Sequence, residues 1–277
     1  MSPVGTSWVT VVPADDIYPI IDKNVSESQV GARKKRSFRE HLLILYSVIN
    51  SAVEKESKPI DSTTYDLKKA FDSLDLVECC NDIWEAGVTD DKMALIWEGG
   101  QVNNVAINTP IGQTARINIP VIVPQGGNLG PIICGNQVDT IGRESLRDSD
   151  NLYKYKNSVP IPQLSMIDDL LNISECGIQS VEGNAIVNIK IEMKKLEFNE
   201  NKCNNIHVGA HADKCPILKA HDQIIVNTTS DKYVGDIISS NGSNKENITS
   251  RVNKGLGAIS TIMNILKEDL FISCKIV

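Results

Sequence analysis

Apolar residues recur along this chain at two different periods, and the switches between them outline the elements. From Ser37 onward Leu42, Leu45, Tyr46, Ile49 and Val53 repeat at helical intervals behind a Ser37–Glu40 capping box, which predicts an amphipathic helix. Thr63, Thr64 and Tyr65 favour a strand, and from Lys68 the composition turns helical. A helix is predicted over about Leu74–Ala86, stopped by Gly87, and a shorter one, capped by Thr89 or Asp90, runs to Gly99-Gly100. Val102–Ile122 alternates and is broken at Asn108, Pro110 and Gly112, the pattern of a β-hairpin. A helix from about Pro131 to Leu146 and a polar loop over Asp148–Val159 follow. The apolar run Leu164–Leu171 predicts a buried strand or hairpin. A helix over Ser180–Leu196 gathers Val181, Ala185, Ile189 and Met193 on one face. Strands near Asn205–Val208 and Ile224–Val226 lead to a last helix, Glu246–Lys267, with Ile248, Val252, Leu256, Ile259 and Met263 at helical spacing. Residues 1–25, with Pro3, Pro13 and Pro19, read as an irregular lead-in. The expected class is α+β, an antiparallel sheet covered on one face by helices.

Composition narrows the setting. The chain has 277 residues, enough for one large domain or two small ones. No apolar run is long enough to span a bilayer, so no membrane association is expected. The N-terminus carries no secretory pattern, and the 7 cysteines lack regular spacing, which points to reduced thiols in an intracellular setting, nucleus or cytoplasm. A net charge of −7 disfavours extensive nucleic-acid binding, because phosphate neutralisation drives much of that affinity. The basic cluster Arg33-Lys34-Lys35-Arg36 is the exception, either as a nucleic-acid contact or as a solvated helix entrance.

The candidate chemistry lies in carboxylates. Asp168 and Asp169, in Met166-Ile167-Asp168-Asp169, sit inside an apolar run, where two like charges are costly unless a divalent cation lies against them. Asp66, where a strand gives way to helix, is the candidate third ligand. Between these segments, Val123-Pro124-Gln125-Gly126-Gly127-Asn128-Leu129-Gly130-Pro131 offers a main chain that can approach a ligand closely. Two other patterns are discounted. Cys203, His207, His211 and Cys215 stand four apart, but Asn204, Asn205, Gly209 and Pro216 oppose the helix that spacing needs for zinc. Asp139-Thr140-Ile141-Gly142 falls within a predicted helix and carries Ile where an aspartic-protease loop has Gly.

These segments, in this order, resemble the palm of a reverse transcriptase, most closely the non-LTR retrotransposon type. Asp66-Leu67-Lys68-Lys69-Ala70-Phe71-Asp72 is similar to Asp-x-x-x-Ala-Phe-Asp. Pro124-Gln125-Gly126 with Leu129 and Pro131 is similar to Pro-Gln-Gly-x-x-Leu-x-Pro, and Met166–Asp169 to aromatic-x-Asp-Asp. Leu196-Glu197-Phe198-Asn199-Glu200-Asn201-Lys202 resembles Leu-x-Phe-Asn-x-x-Lys, Tyr233-Val234-Gly235 resembles Tyr-Leu-Gly, and Gln29-Val30-Gly31-Ala32-Arg33 resembles Gln-x-Gly-Phe-Arg. Met166 and Ala32 depart from the usual aromatics, and nothing before Val25 matches the basic fingers strands.

The resemblance implies RNA-directed DNA synthesis with an RNA template, a DNA primer, dNTP and Mg²⁺, or Mn²⁺ in its place. Asp66, Asp168 and Asp169 would hold the metal, Lys202 would be the acid to pyrophosphate, and Phe71 would select against a 2′-hydroxyl. Gln125 and Gly126 would line the nucleotide cleft. Arg33, Lys35 and Arg36, with Tyr233 and Gly235 as a primer grip, would touch nucleic acid. It further implies partial fingers over 26–60, a palm over 61–240 and the start of a thumb over 241–277, a polymerase core cut short at both ends. The alternative is an inactive remnant serving as an RNA- or protein-interaction module.

Overall fold

A computed structural model describes residues 4–53, 59–89, 91–101, 104–106, 108–118, 129–147, 153–156, 158–161, 163–175, 177–209 and 216–273. The helices in chain order are α1 (Val4–Asn24), α2 (Phe38–Val53), α3 (Ala70–Ser73), α4 (Leu76–Glu85), α5 (Asp91–Gln101), α6 (Gly130–Arg147), α7 (Ile178–Met193) and α8 (Lys245–Ser273). The strands that matter to the site are β1 (Ile60–Tyr65), β2 (Leu164–Met166), β3 (Asp169–Glu175), β4 (Asn204–Val208), β5 (Val226–Thr228), β6 (Ser230–Tyr233) and β7 (Asp236–Ser239).

Five strands form the central sheet in the order β5-β4-β1-β3-β2, antiparallel except for the β4–β5 pair. The class is α+β, as the periodicity predicts, but helices cover both faces rather than one. On one face Leu171, Ile173, Ile206 and Val208 pack with Leu45, Val48 and Ile49 of α2 and with Tyr233 and Ile238 of the β6–β7 hairpin. On the other, Tyr65 and Leu170 pack with Ile83 of α4, Val138 and Ile141 of α6, and Ile191 of α7.

The caps follow the local chemistry. Glu40 accepts from the Ser37 amide at 3.0 Å, and the Asp75 carboxylate accepts from the Val77 and Glu78 amides, opening α4. The alternating segment after α5 forms nested two-residue pairings, Asn104–Val105 with Ile117–Asn118 and Asn108–Thr109 with Gly112–Gln113. The stretch read as a polar loop contains the hairpin Tyr153–Tyr155 with Val159–Ile161.

Two expectations are corrected. The lead-in is helical: Ala14, Ile17 and Ile21 recur at helical spacing and are buried, and Asn24 ties the helix end to the Ala86 carbonyl at 2.6 Å. Burial of that face outweighs the disruption at Pro19. In α7 the expected apolar face is turned outward, with Val181, Ile189 and Met193 exposed and Ser180, Asn184, Val187 and Ile191 inward. The reason is a polar demand on the sheet side. Asn184 donates to the Tyr65 hydroxyl (3.0 Å) and the Lys219 carbonyl (2.9 Å) and accepts from the Lys219 amide. A buried polar group without such partners is costly, so these bonds fix the helix rotation. α8 starts beside β7, and its apolar positions from Ile248 to Leu266 are exposed.

Candidate active site

Register brings the acidic segments to one end of the sheet. β1 and β3 pair antiparallel through Tyr65 and Leu170, so one step further sets Asp66 opposite Asp169. Met166 pairs with Asp169, leaving Ile167 and Asp168 as the two-residue turn between β2 and β3. Ile167 takes φ 60°, the left-handed region that a β-branched residue strongly disfavours. A turn of this hand matches the strand twist, which is why such a tight connection carries Asp168 at the sheet's rim.

The Leu196–Lys202 segment closes the other side. The Asn199 amide donates to the Asp66 carbonyl and the Lys68 amide to the Glu197 carbonyl, both at 2.8 Å, with a bridge between Leu67 and Phe198. Phe198 is buried and its ring lies 5.6 Å from Tyr65. A single 3-10 turn then carries Lys202 back, its Nζ 3.6 Å from an Asp66 carboxylate oxygen.

The electrostatics follow from crowding three anions. Burial, then the Asp66 charge, pushes the Asp168 carboxyl above the usual range, with Lys202 opposing. Asp169 is exposed at the open end, yet loss of hydration with the Asp168 and Asp66 charges raises it to about 6, against Lys202 and Lys232. The three carboxyls and the Lys202 ammonium therefore share one field. Their donor chemistry, hard oxygens that repel one another, suits a hard divalent ion. Among the described residues no three side chains form a ready-made metal cage.

Other expected residues fall in different places. Phe71, in α3, is partly buried against the core. Gln125 and Gly126 lie outside the described residues. Arg33 is not free for a ligand: its guanidinium pairs with Asp22 at 2.7 Å and donates to the Ser26, Gln29 and Asp22 carbonyls. Arg36 is paired with Glu27 and with Glu40, whereas Lys35 is exposed. Tyr233 is buried, 3.1 Å from His41 Nδ1, and burial followed by the Asp169 charge raises its hydroxyl pKa. Val234 and Gly235, both at positive φ, make the β6–β7 turn. Of the discounted zinc pattern, Cys203 is buried and His207 Nδ1 lies 3.1 Å from Asp61, while His211 and Cys215 lie outside the described residues. Asp139 is a buried partner of Ser26 and Arg143. His41 belongs to no motif; its only signal in the sequence is a histidine on the apolar face of a predicted helix.

Comparison with known proteins bears on the family and the fold. A family model described as reverse transcriptase (RNA-dependent DNA polymerase) matches residues 11–238. The fold is similar to apo telomerase from Candida tropicalis truncated from its C-terminal domain, with TM-score 0.57 and 13% identity over 84% of this chain and 44% of that one. It is also similar to Candida tropicalis telomerase in complex with a TWJ fragment of telomeric RNA, with TM-score 0.59 and 13% identity over 84% and 36% of the two chains. This chain thus spans less than half the length of either telomerase, and identity this low speaks to fold alone. No curated protein matches at a significant level.

Proposed function

Because the chain belongs to the reverse transcriptase (RNA-dependent DNA polymerase) family, we propose that it extends a DNA primer along an RNA template by nucleotidyl transfer. The observation that carries this reading is the convergence of Asp66, Asp168 and Asp169 at one sheet end with Lys202 beside them. A Mg²⁺ pair, or Mn²⁺, held by these carboxylates would supply activation of the primer 3′-hydroxyl and charge relief at the departing pyrophosphate. Asp66 and Asp168, from separate chain segments, would be the direct ligands of the metal, and the incoming triphosphate would supply further oxygens to it. Asp169 adds negative potential from the rim. Lys202 would donate a proton to pyrophosphate, a role supported by its Nζ lying 3.6 Å from an Asp66 carboxylate oxygen. Phe71 lines the floor beside Asp66 and restricts the sugar to deoxyribose. Gln125 and Gly126 line the nucleotide cleft, and Lys35, Tyr233 and Gly235 border the template and primer path.

In this reading residues 26–60 serve as fingers, 61–240 as palm and 241–277 as thumb, within an element of the non-LTR retrotransposon type. The test is primer extension on an RNA template with Mg²⁺. Wild-type protein extends and Asp168→Ala does not, although it folds; absence of extension by wild-type protein under saturating Mg²⁺ refutes the activity. One observation favours a second reading, a non-catalytic RNA- or protein-interaction module: Arg33 and Arg36 are neutralised within the fold and the net charge is −7. Metal and dNTP binding without any turnover would select it.

A further inference from the structure

The Ile167-Asp168 turn is poorly suited to hold itself. Ile167 is β-branched at φ 60°, a conformation that costs such a residue roughly 1–2 kcal/mol. A strained residue persists only where its surroundings over-determine it. Here the surroundings come from more than 130 residues away, in the segment between α1 and α2.

That segment lies along the outer edge of β2. The Ser165 amide donates to the Ser28 carbonyl at 2.9 Å, the Val30 amide donates to the Ser165 carbonyl at 3.1 Å, and Gln29 bridges Ser165 in parallel. The Gln29 side chain then turns towards the strained residue. Its Oε1 accepts from the Ile167 amide at 2.8 Å and from the Gly31 amide at 2.9 Å. Its Nε2 donates to the Ile167 carbonyl and to the Gly135 carbonyl of α6, both at 3.3 Å. One buried carboxamide thus bonds both main-chain polar groups of Ile167 and ties them to a helix. Gly31 completes the fit, because a Cβ there would run into the Ile167 amide nitrogen. The segment is itself anchored: Asp139 accepts from the Ser26 amide at 3.0 Å, and Arg33 binds back to Asp22.

We propose that Gln29, with Gly31 as the clearance it needs, is a positioning residue that holds Ile167 in its left-handed conformation and thereby fixes Asp168 for divalent-metal binding. This rests on the metal-site reading above. Gln29 touches no substrate; it acts through the turn. Its four bonds are to backbone and not to Asp168, so its removal leaves the carboxylates in place but loosens their mutual geometry. Metal affinity is sensitive to such loosening, since ligands held by a weakened supporting shell typically lose about 10–100-fold.

The experiment uses the full chain, Mn²⁺ alone as the probe, and amide hydrogen exchange at Ile167 as a reading independent of metal. Gln29→Met keeps the side-chain length and removes all four bonds, and Gly31→Ala displaces the turn by a different route. Both are expected to weaken Mn²⁺ binding about tenfold or more and to accelerate Ile167 exchange. In Gln29→Met, a second change, Ile167→Gly, restores most of the Mn²⁺ affinity, because glycine adopts positive φ without help. Lys194→Met, which breaks a distant ion pair with Asp82, lowers stability without changing Mn²⁺ affinity. Wild-type Mn²⁺ affinity and Ile167 protection in folded Gln29→Met overturn the proposal, as does failure of the glycine rescue. If Gln29→Met does not fold, Gly31→Ala and the protection of the Ile167 amide in wild-type protein carry the same decision. If wild-type protein binds no Mn²⁺, the metal-site reading and the role assigned for metal binding both fail, and Ile167 exchange still decides whether Gln29 holds the turn.

Discussion

Acidification probes the core that seats the β6–β7 hairpin beside the acidic site. His41 is 1% exposed, and burial lowers its pKa to about 4 while its Nδ1 meets the Tyr233 hydroxyl. In the unfolded chain the imidazole titrates near 6.5, so between pH 6.5 and 4 the unfolded state binds the extra proton. His41 therefore contributes stability that is fully present above pH 6.5 and is lost as pH falls through that window. Taking about 1.36 kcal/mol per pH unit of separation, the loss is about 1.4 kcal/mol by pH 5.5 and about 2.5 kcal/mol by pH 4.5. His41→Leu has no such proton to bind, but at pH 7.5 it leaves the Tyr233 hydroxyl buried without its partner, at about 2 kcal/mol. Urea unfolding of both proteins from pH 7.5 to 4.5 measures the difference directly, cancelling carboxylates common to both. The wild-type advantage is expected to shrink as pH falls and to vanish near pH 5. A gap that stays constant with pH would refute the idea of a desolvated, neutral His41 held by Tyr233.

Gly235 stands at φ 91° with open space where a Cβ would go, so Gly235→Ala costs backbone strain alone, about 1 kcal/mol, read as a melting point roughly 2 °C lower. Lys194→Met strands the buried Asp82 carboxylate, whose two oxygens accept from Lys194 Nζ at 2.7 and 2.8 Å; urea unfolding at pH 7.5 is expected to show a loss of about 3 kcal/mol that shrinks in acid as the carboxylate takes up a proton. RNA affinity is expected to fall only shallowly with salt, with a log–log slope of about −2 from roughly three phosphate contacts; a slope near −5 would show that a basic surface away from the site carries binding.

The acidic site is legible in the sequence because each part is local. A strand ending at Asp66, a short apolar run carrying two aspartates and a Leu-x-Phe-Asn segment each have their own pattern, and register then brings them together. The helix over Phe38–Val53, with its Ser37–Glu40 capping box, is equally local. What stays hidden is tertiary. The orientation of α7 depends on Asn184 meeting Tyr65 and Lys219, partners far along the chain, and amphipathic periodicity alone points the helix the wrong way round. The prolines of the N-terminal segment argue against helix, and only the burial of Ile17 and Ile21 in the core, where α1 meets α5 and α6, outweighs them. The strain at Ile167 has no sequence signature at all, because isoleucine there is what strand propensity would choose.

The basic cluster between α1 and α2 shows how one segment can be drawn away from its most obvious use. Four consecutive cations suggest phosphate, but Arg33 lies 10% exposed against Asp22 and three carbonyls, and Arg36 sits between Glu27 and Glu40. Both guanidiniums help fix the chain that delivers Gln29 to the Ile167 turn, which leaves Lys34 and Lys35 as the exposed cations of the cluster. The consequence is electrostatic. Among the described residues, Lys202 and Lys232 are the cations whose charges oppose Asp169. Under the proposed function, an anionic triphosphate would meet net repulsion at these carboxylates until a divalent metal neutralised them, so metal would have to bind before the nucleotide. With Arg33 and Arg36 paired inside the fold, dNTP affinity measured with and without Mg²⁺ is then expected to differ by far more than template affinity does.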